Sequence, residues 1–392
     1  MRRAPYGFVA ALVLVRFADE WTTFFPAGAL EPIRRDLGLD YAEVAGVLVA
    51  LPAGGLVGTF FVIAADYVSR RLLASLGAAT YGAAMIAFGL GHSLPVLLAA
   101  AFAWGAASDA FVHGSEVALV DLADDALAKT LARMNAWASV GDLLGPATLG
   151  LAAMTGLGWR GAFVGGGALM LAYALWLGAH RFPPPHPRTA RASPFAVWGD
   201  LRAIAGDLEV MLLAVVLGLW GLLDESLDGF MIAYFEHTRH WSPALAATPV
   251  VAILVGALMG FARFERIAGG RSPRAVILAC AMLTVMALPL AIYVPLPALQ
   301  LIAAFGFGGA GAVLYTMLES VALSLRPGQV GATSAVVSTV GMIGMAYPTL
   351  VGAVADVRGL GAGLALYAAI PPIIVALAAW WRREPRPPAR AG

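Results

Sequence analysis

Apolar runs of about twenty residues recur along almost the whole chain and restrict its fold more than any other feature. Hydrophobic residues make up 60% of the 392 residues, charged residues make up 12%, and the mean hydropathy is +0.81. A soluble chain could not bury that much apolar surface, whereas each run is long enough to cross a bilayer as a helix. Backbone polar groups in lipid must be bonded within the protein, and no alternating ten-residue strand pattern occurs. The sequence therefore predicts an all-α membrane protein.

Twelve predicted spans fall into two sets of six, separated by one polar segment. The spans are 8–30, 43–65, 72–91, 95–119, 131–155, 161–180, 210–234, 244–263, 273–294, 297–323, 330–353 and 360–381. The polar segment contains Pro183-Pro184-Pro185, which is typical of a linker. This pattern predicts a six-helix bundle over 1–181, a cytoplasmic linker over 182–209, and a second bundle with a short cytoplasmic tail over 210–392.

The distribution of basic residues predicts the orientation. With the N-terminus inside, the cytoplasmic segments hold 19 Arg and Lys residues and the outer loops hold five. This excess predicts that both termini are cytoplasmic. We expect a multi-pass protein of the bacterial cytoplasmic (inner) membrane, acting as a monomer. Its expected partners are the lipid bilayer and a small-molecule or ion substrate, and the net charge of +1 gives no reason to expect nucleic acid.

Sequence similarities between the two sets of spans indicate a parallel repeat. The acidic pair Asp19-Glu20 recurs as Asp224-Glu225 at an offset of 205 residues. Val117-Ala118-Leu119 recurs at an offset of 204, and the segment 146–150 resembles 348–352 at an offset of 202. Two six-helix halves in the same orientation are a known transporter plan, with the substrate site between them near the middle of the membrane.

With this plan, the chain resembles the major facilitator superfamily over essentially its full length. The segment 65–71 resembles the family's signature between the second and third helices, and 265–271 is a looser copy. The resemblance implies two pseudo-symmetric six-helix bundles, and it implies a cytoplasmic gate formed by charged residues of these two segments. The implied gate residues are Asp66, Arg70, Arg71, Glu265 and Arg266.

The fifth span resembles the glycine–proline motif of the family's antiporters. The matching residues are Gly141, Gly145, Pro146 and Gly150. Small residues let helices pack closely, and a proline bends a helix. The resemblance implies export by exchange.

Ionisable residues inside the spans are the candidate functional groups, because an ionised side chain in hydrocarbon costs about 2.5–3.5 kcal/mol even on the most lenient scale. Those expected to bind substrate or couple protons are Asp19, Glu20, Asp109, His113, Glu116, Asp224, Glu225 and Asp228. Those expected to be supporting charges are Arg16, Asp142 and Glu319. Arg16 can reach either acid of the first pair, and adjacent helical residues point about 100° apart. We therefore expect one acid to be paired and the other to face a cavity.

The fourth span carries an ionisable stripe at helical spacing, formed by Asp109, His113 and Glu116. The stripe has three interpretations. It can be a hydrogen-bonded structural network, or a proton relay, since histidine titrates near neutral pH. It can also be a divalent metal site completed by Asp224 and Asp228 from the other half.

These features favour a secondary active transporter that exports a small cationic or amphipathic solute by proton-coupled alternating access. We expect protons as the coupling ion and no other cofactor. The chain lacks a Walker loop and the common hydrolase motifs, so we do not expect an enzyme. The alternatives are a divalent metal carrier that uses the Asp/His/Glu cluster, a lipid or lysolipid carrier, and a non-transporting membrane sensor or scaffold.

Overall fold

A computed structural model describes residues 6–64, 69–123, 127–182, 206–223, 225–325, 336–337, 339–341 and 344–381. The regular structure in these ranges is helical, and none of the described residues lies in a β-strand. The helices are α1 Tyr6–Val13, α2 Val15–Gly28, α3 Leu30–Leu37, α4 Tyr41–Ala64, α5 Arg70–Leu90, α6 Leu94–Ala123, α7 Leu127–Met154, α8 Gly158–Ala179, α9 Leu208–Gly221, α10 Glu225–His237, α11 Pro243–Ala246, α12 Thr248–Ala262, α13 Phe264–Ala268, α14 Pro273–Tyr293, α15 Pro297–Ser324, α16 Tyr347–Arg358 and α17 Leu360–Trp380.

The helices follow the predicted spans closely. Within the described part of the chain, eight segments are long and apolar enough to cross a membrane, and α4 and α7 contribute shorter apolar stretches, 41–57 and 140–154. The first span consists mainly of α1 and α2, which are short, and α2 carries Arg16, Asp19 and Glu20. The eleventh span is represented by α16, because most of its first half lies outside the described residues.

The first span continues as a nearly unbroken helix despite its division into α1, α2 and α3. Across the first break, the N–H of Leu14 donates to Ala10 and that of Ala18 donates to Leu14, both at 3.0 Å. Across the second break, the N–H of Ile33 donates to the carbonyl of Ala29 at 2.9 Å. Backbone groups in lipid must be bonded internally, so these bonds let the span cross the membrane.

Polar caps mark the beginnings of two helices of the second half. The Asp207 side chain accepts a hydrogen bond from the N–H of Glu209 at the start of α9. At the start of α14, the Ser272 side chain accepts from the N–H of Ala275, and Pro273 occupies the first turn. Both caps satisfy donors that have no partner inside the helix.

The chain forms two compact units that interleave the two sequence halves. Unit 1 comprises Met1–Arg188, Asp228–Ala247 and Pro348–Leu360, and unit 2 comprises Thr189–Leu227, Thr248–Tyr347 and Gly361–Gly392. Unit 1 therefore combines the first six spans with parts of the seventh and eleventh and the beginning of the eighth. The predicted boundaries at 181 and 210, which follow the repeat, stay predictions.

Helices α4 and α6 of unit 1 cross at two glycines. A Cβ atom added to Gly54 would lie 2.0 Å from the carbonyl oxygen of Phe102, and one added to Gly105 would lie 1.8 Å from that of Leu51. Real Cβ atoms do not approach a backbone oxygen so closely. The two helices can therefore pack at this distance only because both positions are glycine.

Unit 2 contains the same crossing, between α12 and α15. A Cβ atom on Gly256 would lie 2.1 Å from the carbonyl oxygen of Phe305, and one on Gly308 would lie 1.9 Å from that of Ile253. These glycines follow those of unit 1 at offsets of 202 and 203 residues, the spacing of the sequence repeat. The repeat is thus visible in the way the helices pack.

Candidate functional site

The carboxylate of Asp19 is buried inside unit 1, where α2, α5 and α6 meet. Asp19 is 8% exposed, and the hydroxyl of Ser108 on α6 donates to Asp19 Oδ1 at 2.6 Å. The hydroxyl of Tyr81 on α5 donates to the Asp19 carbonyl oxygen at 3.3 Å and lies 2.6 Å from the Thr22 hydroxyl. Asp19 is therefore held in a polar, hydrogen-bonded position inside a largely apolar bundle.

The second acid of the pair, Glu20, lies beside a positive charge. Arg16 Nη1 lies 3.5 Å from Glu20 Oε1, one turn apart on α2. Both side chains are more exposed than Asp19. The two adjacent acids therefore occupy different surroundings, because neighbouring positions on a helix point in different directions.

Asp109 on α6 follows Ser108 directly. Its Oδ2 atom would lie 3.7 Å from a Cβ atom on Gly55, which places the carboxylate against α4. The side chains of His113 and Glu116, the other members of the predicted stripe, lie outside what the structure describes. The network, relay and metal interpretations of this stripe all stay predictions.

The described residues cover only part of the second acidic group. Asp228 on α10 is 8% exposed and belongs to unit 1. Residue Asp224 and the side chain of Glu225 lie outside the described part of the chain. Among the described residues, no three His, Cys, Asp or Glu side chains form a cluster that could hold a metal ion. Only two of the five metal candidates have described side chains, so the metal hypothesis is not tested.

The glycines of the fifth-span motif bring α7 against α2. A Cβ atom on Gly141 would lie 2.6 Å from the carbonyl oxygen of Phe17, and one on Gly145 would lie 2.8 Å from Cβ of Phe24. A Cβ atom on Gly150 would meet no atom within 4 Å. Two of the three motif glycines thus serve close packing.

Polar residues near the motif add contacts to this packing. The indole N–H of Trp21 donates to the Thr148 hydroxyl at 2.8 Å, which joins α2 to α7. Pro146 lies buried inside α7 and Asp142 is half-buried one turn before it. Glu319, the third supporting charge, is exposed on α15 of unit 2.

The residues of the implied cytoplasmic gate are described in part. Arg70 is buried, and Arg71 is exposed and donates to the carbonyl oxygen of Gly178 at the end of α8. Asp66 lies outside the described residues. Glu265 and Arg266 are exposed on α13 of unit 2. A joint role of these residues as a gate stays a prediction.

A buried ionic cluster at the end of the first span was missed by sequence reasoning. Glu31, which is 1% exposed, accepts hydrogen bonds from Arg34 Nε at 2.9 Å, from Arg35 Nε, and from the Tyr41 hydroxyl at 2.9 Å. Burial acts to raise the pKa of Glu31, but the hydrogen bonds from Arg34, Tyr41 and Arg35 and the charge of Arg34 outweigh it and lower the pKa. The bond to Glu31 raises the pKa of Arg34.

The sequence carried signals that could have found some of these groups. Glu31 has a counterpart, Glu236, at the same offset of 205 residues as the acidic pairs. In the structure Glu236 lies within electrostatic range of Glu31 and Arg35, all in unit 1. Ser108, the partner of Asp19, directly precedes a predicted site residue.

Comparisons with known proteins place this geometry in a family. The family model for the Major Facilitator Superfamily matches residues 10–349. None of the curated proteins matches the sequence. A crystal structure of a mutant of the nucleoside transporter NupG has a TM-score of 0.79 at 12% identity and covers 96% of this chain and 100% of that chain.

A second solved structure is that of a bacterial homologue of the human lysosomal transporter Spinster, in an inward-facing and occupied conformation. It has a TM-score of 0.72 at 16% identity and covers 95% of this chain and 93% of that chain. At these identities the similarities describe the fold alone, and they confirm the predicted all-α fold of two six-helix bundles. Because the family model matches well over half of the chain, this protein belongs to the Major Facilitator Superfamily and is a multi-pass membrane transporter.

Proposed function

We propose that this transporter couples the movement of a small cationic or amphipathic solute to proton movement, and that Asp19 is a proton-binding group. The observation that carries the proposal is a carboxylate in a membrane-spanning helix, 8% exposed, with a hydroxyl donor at 2.6 Å. An ionised acid at such a position is costly, and intramembrane acids commonly serve ion or substrate pathways.

Two protonation states of Asp19 would then distinguish two states of the carrier. The Ser108 hydroxyl favours the ionised form, because a donor lowers the free energy of the charged carboxylate. Protonation removes the charge and lets the empty carrier reorient, whereas a cationic solute competes for the ionised form. Arg16 Nη1 lies 3.5 Å from Glu20 Oε1 and balances the charge of that acid. In this cycle Asp19 therefore binds the proton, and Glu20 stays paired with Arg16.

Export in exchange for protons is the direction that fits the fifth-span motif best. Gly141 and Gly145 pack α7 tightly against α2, the helix that carries Asp19. A rigid contact between these helices would limit leakage of protons beside the carboxylate. We infer that the protein acts as a monomer in the bacterial cytoplasmic membrane. The distribution of basic residues in its loops supports the inference that both termini are inside.

Transport into proteoliposomes tests the coupling. Purified protein is reconstituted with an imposed pH gradient, and uptake is measured for organic cations, amphipathic cations and nucleosides. Nucleosides are included because one of the structurally similar proteins is a nucleoside transporter. We expect gradient-dependent uptake of a cationic or amphipathic compound, and we expect Asp19→Asn to abolish the dependence on the gradient.

Two controls sharpen this test. Asp36→Asn removes an exposed acid of α3 and should leave coupling intact. Ser108→Ala should weaken the dependence of transport on the pH gradient because it removes the donor to Asp19, whereas Ser115→Ala, which loses a bond to a carbonyl oxygen of its own helix, should not. Gradient-dependent transport that is unchanged in Asp19→Asn would refute the role of this acid. Uptake of nucleosides but not of cations would refute the substrate class.

A further inference from the structure

The backbone N–H groups at the start of α4 donate to three carboxylates, those of Asp40, Glu43 and Asp356. The first four N–H groups of a helix have no partner inside it. The Asp40 side chain accepts from the N–H of Glu43 at 2.7 Å, and the Glu43 side chain accepts from the N–H of Asp40 at 3.1 Å, which is a capping box. The Asp40 carbonyl accepts from the N–H of Val44 at 3.1 Å. This local cap supplies no acceptor for the N–H groups of Tyr41 and Ala42.

Asp356 on α16 accepts hydrogen bonds from both remaining donors. The N–H of Tyr41 donates to Asp356 Oδ1 at 2.7 Å, and the N–H of Ala42 donates to Oδ2 at 2.9 Å. Each carboxylate oxygen takes one bond, and its negative charge lies at the positive end of the helix dipole. Asp356 is 315 residues from Tyr41 in sequence and belongs to the second half of the repeat, yet both lie in unit 1.

Backbone contacts between helices of the two sequence halves are also close within unit 1. A Cβ atom on Gly352 of α16 would lie 2.4 Å from the carbonyl oxygen of Tyr41 and 2.7 Å from the nitrogen of Ala42. A Cβ atom on Gly229 of α10 would lie 2.5 Å from the carbonyl oxygen of Ala27. Two helices of the second half are therefore packed, backbone against backbone, on helices of the first half.

We propose that Asp356 is a gating residue of the transport cycle. The predicted orientation puts the start of α4 on the outer side of the membrane. Asp356 holds α16 on α4 while the entrance on that side is closed, and it releases Tyr41 and Ala42 when that entrance opens. The proposal rests on the proposed alternating access, because a transporter built from a parallel repeat moves one half against the other. In the open state water replaces Asp356 at the two N–H groups, whereas the capping box of α4 remains. The bond to Asp356 is therefore made in one state only.

Distances between two spin labels test this proposal without substrate. Cysteines are introduced at Ser93 and Val357, both exposed and outside the bonded group, in a Cys280→Ser background. Double electron–electron resonance then gives the ratio of long to short distances between the labels. Loss of two bonds at a helix N-terminus is worth a factor of about ten in such an equilibrium. We expect Asp356→Ala to raise the ratio about tenfold and Asp356→Asn to raise it less.

Two further variants separate gating from general weakening of α4. Asp40→Ala removes a cap that is present in both states, so the ratio should stay within about twofold of the parent. Gly352→Ala should raise the ratio, because the added carbon cannot fit between the two backbones. If Asp356→Ala and Gly352→Ala fold but leave the ratio unchanged, the gating role is wrong.

The same variants distinguish failure of the gate from failure of the proposed function. The distance measurement needs neither solute nor pH gradient. A raised ratio together with transport that ignores the gradient would contradict proton coupling but support the gate. An unchanged ratio together with coupled transport that requires Asp19 would do the reverse.

Discussion

Replacing Gly105 with alanine tests the helix crossing of unit 1. The added carbon would lie 1.8 Å from the carbonyl oxygen of Leu51, 2.8 Å from its carbonyl carbon and 3.2 Å from the nitrogen of Gly55. Ordinary contact begins at 3.4 Å, so α4 and α6 would have to separate by about 1.6 Å at this point. These three nearest atoms all belong to the backbone, so rotation of a side chain cannot relieve the conflict.

The expected cost follows from this geometry. Overpacking of a core costs about 1–3 kcal/mol where side chains can adjust, and the upper end applies where only a helix can move. Alanine returns up to about 1 kcal/mol through its better helix propensity. We expect the free energy of unfolding to fall by about 2 kcal/mol, which for a unit of this size lowers the melting temperature by about 4–8 °C.

Thermal unfolding of purified protein in detergent, followed by intrinsic fluorescence and size exclusion, measures this effect. Gly308→Ala should behave like Gly105→Ala, since its added carbon would lie 1.9 Å from the carbonyl oxygen of Ile253. Gly306→Ala is the matched control on the same helix, α15, because no atom lies within 4 Å of the added carbon. If Gly105→Ala and Gly308→Ala melt within about 1 °C of the control Gly306→Ala, the crossing does not depend on glycine and the argument fails.

Individual side-chain contacts give three smaller effects on melting. The pKa of Glu31 lies below its ordinary value of 4.5, so its stabilisation is complete above pH 4.5 and is lost as pH falls through the lower folded value. The parent should lose stability as pH falls through that window, and Glu31→Gln should remove this acid-dependent step; equal slopes would contradict it. Trp21→Phe should cost about 1 kcal/mol through the lost bond to Thr148, and an unchanged melting temperature would refute that. Arg160→Lys should cost about 1 kcal/mol or more, since lysine cannot bond Asp36 and two carbonyl oxygens in the geometry of arginine; full stability would contradict this.

The helices were predictable because a helix that crosses a bilayer needs about twenty consecutive apolar residues, and such runs can be read directly from the sequence. The predicted third span, 72–91, corresponds to α5 at Arg70–Leu90, and the predicted twelfth, 360–381, corresponds to α17 at Leu360–Trp380. The first span was harder, because Arg16, Asp19 and Glu20 interrupt its apolar run. Its helix is continued by backbone hydrogen bonds across the breaks, and the pattern of side chains in the sequence does not predict these bonds.

The candidate site was predictable only where a residue type is unusual for its surroundings. Asp19 was identifiable because an acid in an apolar span is rare. Ser108 and Tyr81 were not, because hydroxyls are common in spans and their pairing depends on how three helices pack. The role of Asp356 was still less accessible, since its partners are backbone N–H groups that are the same at every residue.

The N–H groups at the start of α4 have acceptors from two different helices, and hydrogen–deuterium exchange can therefore follow each contact separately. Tyr41 and Ala42 are protected by a carboxylate from α16, whereas the neighbouring amide of Glu43 is protected by Asp40 of the same helix. Opening of the entrance should deprotect the first two amides and spare the third, whereas fraying of α4 should deprotect all three together. Three consecutive amides therefore distinguish a conformational change from local unfolding in the unmodified protein.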